Sequence, residues 1–162
     1  MKNGDIMKKY EILTLFGILV LDQITKIWIE TTMHLGESIE VIKDFFYITF
    51  VQNTGAAWSI LEGQMWFFYI ITAVALGAMV YFFKDTKENE WWLRLALILL
   101  IAGTLGNFID RLTLQYVRDF LDFVIFGYDF PVFNVADISL CVGVGMVALE
   151  TLFYKEENHG NK

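Results

Sequence analysis

Four long apolar runs, separated by stretches of mixed character, set the pattern of this chain. They extend from about Ile12 to Ile29, Met65 to Phe83, Leu95 to Ile109 and Asn134 to Phe153. Twenty helical residues rise about 30 Å, the thickness of a bilayer core, so runs of this length read as membrane-spanning helices. The third reaches that length with Trp91 and Trp92 as an interfacial anchor. The pattern predicts helices over 10–30, 65–84, 91–111 and 134–154. In the loops 31–64 and 112–133, "SIEVIKDFFYITFVQNTGAAWSI" and "YVRDFLDFVIFGYDFPVF" are rich in β-branched and aromatic residues and read as strands. Their apolar content suits surfaces resting on a membrane or a greasy ligand, or else a small self-packed sheet. The expected fold is all-α: four transmembrane helices with a small extracytoplasmic β-rich element, in one domain over 1–162.

Composition supports the membrane class. Of 162 residues 56% are hydrophobic and 19% charged, and mean hydropathy is +0.50. Lys8 and Lys9 before an apolar run resemble the start of a signal peptide. Asp22 within the run, and no small-x-small cleavage site after it, favour an uncleaved anchor. Positive charge places the ends: Lys2, Lys8 and Lys9 precede the first helix, Lys84, Lys87 and Arg94 lie in the second connection, and Lys155 and Lys162 are in the tail. Both termini are therefore expected in the cytoplasm, with loops 31–64 and 112–133 outside.

The remaining composition narrows the chemistry. A net charge of −7 with no basic patch argues against nucleic acid. The single cysteine, Cys141, excludes an intramolecular disulfide or a thiolate metal cluster. His34 and His159 are the only histidines and belong to different segments, which argues against a zinc site or a His-assisted nucleophile. No metal and no cofactor are expected. Chemistry falls to carboxylates, amides, hydroxyls and lysine.

The polar residues each have an ordinary explanation when taken singly. Asp22 and Lys26, four apart on one helical face, make an i,i+4 ion pair. In "GTLGNFIDR", Gly103 and Gly106 suit close helix packing. Asn107 is left unexplained, because a buried amide needs partners. "NTGAAW", from Asn53, reads as a turn of small residues. Asp119 lies beside Arg118 and Asp122 in a loop, where charges are normally solvated. Asn134 followed three residues later by Asp137 resembles a helix cap.

Their convergence is not ordinary. On this topology, Asp22, Asp110, Asp119, Asp137, Asn53, Asn107, Asn134 and Arg111 all approach the outer face, whereas the inner ends carry scattered surface charges. Two adjacent carboxylates share a proton, and such a pair activates water without metal or histidine. The pattern leaves open which two acids pair. A proton-coupled transporter also uses intramembrane acids, but it calls for charge distributed through the membrane. The second run has none, and the fourth has none between Asp137 and Glu150. An assembly protein gives no reason to gather these residues at one level.

"DQITK", "NTGAAWS", "GTLGNFIDR", "VRDFLDF" and "FNVADIS", spanning residues 22 to 139, resemble the bacterial lipoprotein signal peptidases (signal peptidase II). Trp58 stands where many members carry Phe. The resemblance implies that Asp119 and Asp137 are the catalytic dyad of an intramembrane aspartic peptidase. It implies binding or supporting positions at Asp22, Lys26, Asn53, Gly55, Asn107, Arg111, Asn134 and Ala136. Asp110 is expected to be structural, paired with Arg111 or nearby backbone. The implied substrates are prolipoproteins carrying diacylglycerol on a cysteine, cut just before that cysteine in the bacterial cell membrane. Membrane lipids and globomycin-type peptide inhibitors are the other implied partners.

Overall fold

The computed structural model describes residues 7–55 and 63–159. Lys2, Lys162 and Trp58, with most of the "NTGAAWS" turn, lie outside the described residues. Four membrane-length helices are present, as expected: α1 (Lys9–Thr32), α2 (Met65–Asp85), α3 (Trp91–Leu114) and α4 (Val135–His159). Large apolar side chains of α1, α2 and α4 face outward along most of their length, including Phe16, Ile24, Ile70, Val74 and Val144, while α3 buries Leu97, Ile98 and Ala102 among them. That is the arrangement of helices solvated by lipid rather than water.

The loops form the expected β element. Strands β1 (Ser38–Ile42), β2 (Phe46–Asn53), β3 (Val117–Ile125) and β4 (Tyr128–Asp129) make one antiparallel sheet in that order. α2 and α3 intervene in sequence between the paired strands β2 and β3. Ile29 and Met33 at the end of α1 pack with Phe50 and Phe120 of the sheet. This apolar cluster fixes the sheet to one end of the bundle.

A bulge in β3 changes which side chains share a face. The N–H groups of Phe120 and Leu121 both donate to the Phe133 carbonyl, at 3.0 and 2.8 Å, so two residues of β3 oppose one of the segment that pairs with it. Phe120 and Leu121, consecutive in sequence, both pack toward the α1 cluster. Asp119 and Asp122 consequently share the other face, where regular alternation would separate them.

Small residues bring α3 and α4 together. A Cβ at Gly103 would collide with the Ala136 carbonyl. One at Gly106 would sit 2.6 Å from Asp22 Oδ2. At the far end of the bundle, the expectation of scattered surface charge is wrong. Arg94 belongs to the first turn of α3, not to a loop, and is fully buried with Glu11 of α1. Its Nε and Nη2 donate to Glu11 Oε1 and Oε2 at 2.6 and 2.9 Å, and its guanidinium lies 4.3 Å from the Phe83 ring of α2.

Candidate active site

Polar side chains converge where α1, α3 and α4 meet the sheet. Asn134 stands just before α4, and its Oδ1 accepts the Asp137 N–H at 3.1 Å. Asp137 Oδ2 accepts the Asn134 N–H at 3.1 Å in return. This is the reciprocal cap expected from the sequence. Asn134 does more than cap. Its side-chain amide donates to Asp119 Oδ1 at 2.6 Å and to Asn107 Oδ1 at 3.0 Å.

Asn107 donates to Asp137 Oδ1 at 2.7 Å and Asn53 to Asp119 Oδ2 at 2.9 Å. Every oxygen of both carboxylates thus meets an N–H donor. No ion pair among the described residues includes either aspartate. Asp119, on β3, is buried and not the solvated loop charge that its sequence position implied. Burial, followed by the nearby Asp137 carboxylate, pushes its pKa up to about 7, against the pull of the Asn53 and Asn134 bonds.

A second group of charges lies behind this pair. Lys26 Nζ is 2.9 Å from Asp22 Oδ2, 3.6 Å from Asp110 Oδ2, and donates to Asn107 Oδ1 at 2.9 Å. The sequence placed the Asp22–Lys26 pair correctly but did not foresee its complete burial. Asp22 Oδ1 also accepts the Ala136 N–H at 2.9 Å, tying α1 to the start of α4. Of the two partners expected for Asp110, Arg111 and nearby backbone, it finds the backbone and not Arg111. Arg118 claims it, through its backbone N–H, Nε and Nη2 at 3.0, 3.1 and 2.7 Å.

Arg118, Glu30 and Gln23 were missed by sequence reading. Arg118 reaches Glu30 at 2.9 Å and Gln23 at 3.1 Å. Charge balance could have found it, since Asp22 and Asp110 buried around one lysine call for another cation.

Arg111 turns the other way. It donates to the Gly55 carbonyl at 3.0 Å and stacks 4.6 Å from the Phe68 ring centre. Its Nε is buried with no partner among the described residues. Asn53 accepts the Gly55 N–H at 2.9 Å, which orders the start of that turn.

These groups line a cavity of about 1310 Å³. Asn53, Asn107, Arg111, Asp119 and Asp137 surround its middle. Thr72, Thr104 and Leu140 line its helix side, between α2 and α4, and Tyr47, Asp122 and Phe130 its sheet side. The arrangement offers two carboxylates held by amides in a cavity whose helix side is largely apolar and whose sheet side mixes Val124, Phe130 and Phe133 with Asp122 and Asp129.

Known proteins share both sequence and fold. Residues 14–153 match the family described as Signal peptidase (SPase) II. Lipoprotein signal peptidases of Staphylococcus aureus, strain Newman among them, are 49% identical over 149 residues, covering 90% of this chain and 91% of the relative. A bacterial membrane enzyme solved by the in meso method at 2.3 Å superposes with a TM-score of 0.90 and 44% identity, covering 97% of this chain and 96% of the other. A second such structure, at 1.9 Å, gives a TM-score of 0.84 and 46% identity, over 94% and 98% of the two chains. The match runs through all four helices and the sheet between them, and the chain belongs to the signal peptidase II family.

Proposed function

We propose that Asp119 and Asp137 are the catalytic dyad with which this lipoprotein signal peptidase hydrolyses its substrates, diacylglyceryl-modified prolipoproteins, just before the lipidated cysteine. The observation that carries this reading is Asn134, which bonds Asp119 with its side chain and Asp137 with its backbone. Two acids so held, with no cation paired to either, share a proton at neutral pH. The ionised member takes a proton from a water, and the water oxygen attacks the carbonyl carbon of the scissile peptide. The protonated member gives its proton to the carbonyl oxygen. Collapse of the tetrahedral intermediate breaks the C–N bond, and the departing cysteine nitrogen takes up the proton removed from the water. No metal or cofactor enters this scheme.

The supporting residues divide by what they touch. Asn53, Asn107 and Asn134 orient the dyad. Asp22, Lys26, Asp110 and Ala136 hold α1, α3 and α4 in register behind it. Arg111, held by the Gly55 carbonyl, supplies a wall suited to substrate main chain. The slot between α2 and α4 opens toward lipid and suits the apolar signal peptide, while the aromatic sheet suits the acyl chains. Globomycin-type peptides are expected to occupy the same cavity. The lysine and arginine distribution puts the termini in the cytoplasm of a bacterial cell and the dyad near the outer face of its membrane. Purified protein in lipid should cleave a lipidated prolipoprotein, and Asp119→Asn and Asp137→Asn should each abolish cleavage; activity surviving either change would sink the assignment.

A further inference from the structure

The cavity extends past the dyad along the sheet, and there it changes chemistry. Because of the β3 bulge at Phe120 and Leu121, Asp122 faces the same space as Asp119. Its Oδ2 accepts the Thr49 hydroxyl at 2.6 Å, and Thr49 in turn meets Ser38 at 2.7 Å. This hydroxyl ladder crosses β3, β2 and β1 and fixes the carboxylate against the sheet. Asp122 Oδ1 has no partner among the described residues, so a residue that lines the cavity keeps one acceptor oxygen unused. Asp129 lines the same arm, and Arg111, the one cation of the lining among the described residues, belongs to the dyad end.

Geometry decides which part of a substrate meets this arm. The dyad lies where the helices stop and the sheet begins, and the slot between α2 and α4 accounts for the apolar segment before the cut. A chain continuing past the dyad, away from the helices, would meet the part of the lining that carries Tyr47, Asp122 and Asp129. We propose that Asp122 reads the residues immediately following the lipidated cysteine, accepting main-chain or side-chain N–H groups and disfavouring acidic side chains. The proposal rests on the peptidase reading. The repulsion is between a fixed carboxylate in a partly buried groove and a mobile one. Like charges about 6 Å apart at an effective dielectric of about 40, between those of a protein surface and bulk water, separate the two substrates by roughly tenfold in kcat/KM. Asp129, exposed at the rim, adds less because solvent screens it.

The test uses full-length protein in lipid and two diacylglyceryl prolipoproteins that differ only at the second and third residues after the cut, Ser-Lys in one and Asp-Glu in the other. Wild type should cleave the Ser-Lys substrate about tenfold more efficiently at low salt, with the ratio shrinking as salt is raised. Asp122→Asn, which keeps an acceptor for the Thr49 hydroxyl, should bring the ratio close to one, and Asp122→Lys should invert it. An unchanged ratio in both variants, or equal cleavage of the two substrates by wild type, overturns the proposal. Failure of wild type to cleave either substrate would overturn the peptidase reading instead. A merely structural role for Asp122 would lower both rates together and leave the ratio where it was.

Discussion

The two ends of the bundle bury ionisable groups in opposite ways. At the end far from the sheet, Glu11 meets Arg94 in a two-point contact, with Thr86 and the Phe83 ring completing the arginine's surroundings. Charge there is neutralised within the pair, and neither residue lines the cavity. At the sheet end, Asp119 and Asp137 carry like charge, receive only amide and backbone N–H donors, and line an open cavity. A neutralised pair gains nothing by changing protonation. A like-charged pair held by neutral donors must. Burial alone therefore does not mark a reactive group; the sign of its nearest charged neighbour does.

The largest effect should come from removing a dyad carboxylate. Asp137→Asn keeps the shape and one acceptor, so the melting temperature in detergent should hold while turnover drops by about 10²–10⁴ or more. Loss of folding together with activity would erase the distinction between the two ends. Arg94→Met should do the reverse. Breaking a buried pair by removing one partner costs about 3–5 kcal/mol, so the variant should melt markedly lower, yet the molecules that remain folded should cleave at the wild-type rate. The double change Glu11→Leu with Arg94→Met should recover much of that stability.

A smaller effect is expected at Lys26, which touches both kinds of group. It neutralises Asp22 and Asp110 and donates to Asn107, which in turn holds Asp137. Lys26→Met should reduce both stability and kcat, and a variant that loses stability alone would show that the charged block acts only as scaffold. The smallest and most specific effect concerns pH. The Asp119 carboxyl is raised from an ordinary 3.8 to about 7, so between these values the folded protein binds more protons than the unfolded chain. This contribution to stability is complete below the lower value and is lost as pH rises through the upper one. Asp119→Asn should lack that decline, melting higher relative to wild type at about pH 8 than at about pH 4. The wild-type rate should also fall above about pH 7 as the shared proton leaves. Parallel melting curves would show that Asp119 carries no such proton.

The helices, the strand-bearing loops and the capping relation of Asn134 to Asp137 were legible in the sequence, because each is set by neighbours a few residues away. What lay hidden depends on partners far along the chain. Arg118 and Asp119 read as solvated loop charges until β3 is placed against α1, where Glu30 and Gln23 await Arg118. Arg94 read as a connection charge because its partner, Glu11, is 83 positions earlier. The company of Asp110 was mistaken for the same reason: adjacency suggested Arg111, whereas folding delivers Arg118. Even the face that Asp122 occupies could not be counted from Asp119, since the bulge at Phe120 and Leu121, set by the distant Phe133 carbonyl, resets the alternation.

Asn134 has a consequence for the order in which such an enzyme becomes dangerous. One amide starts α4, seats β3 through Asp119 and meets α3 through Asn107. The alignment of the two aspartates is therefore an interlock, closed only when the last helix, the late strand and the third helix have all arrived. A half-assembled chain in the membrane would hold two ordinary aspartates and no weapon.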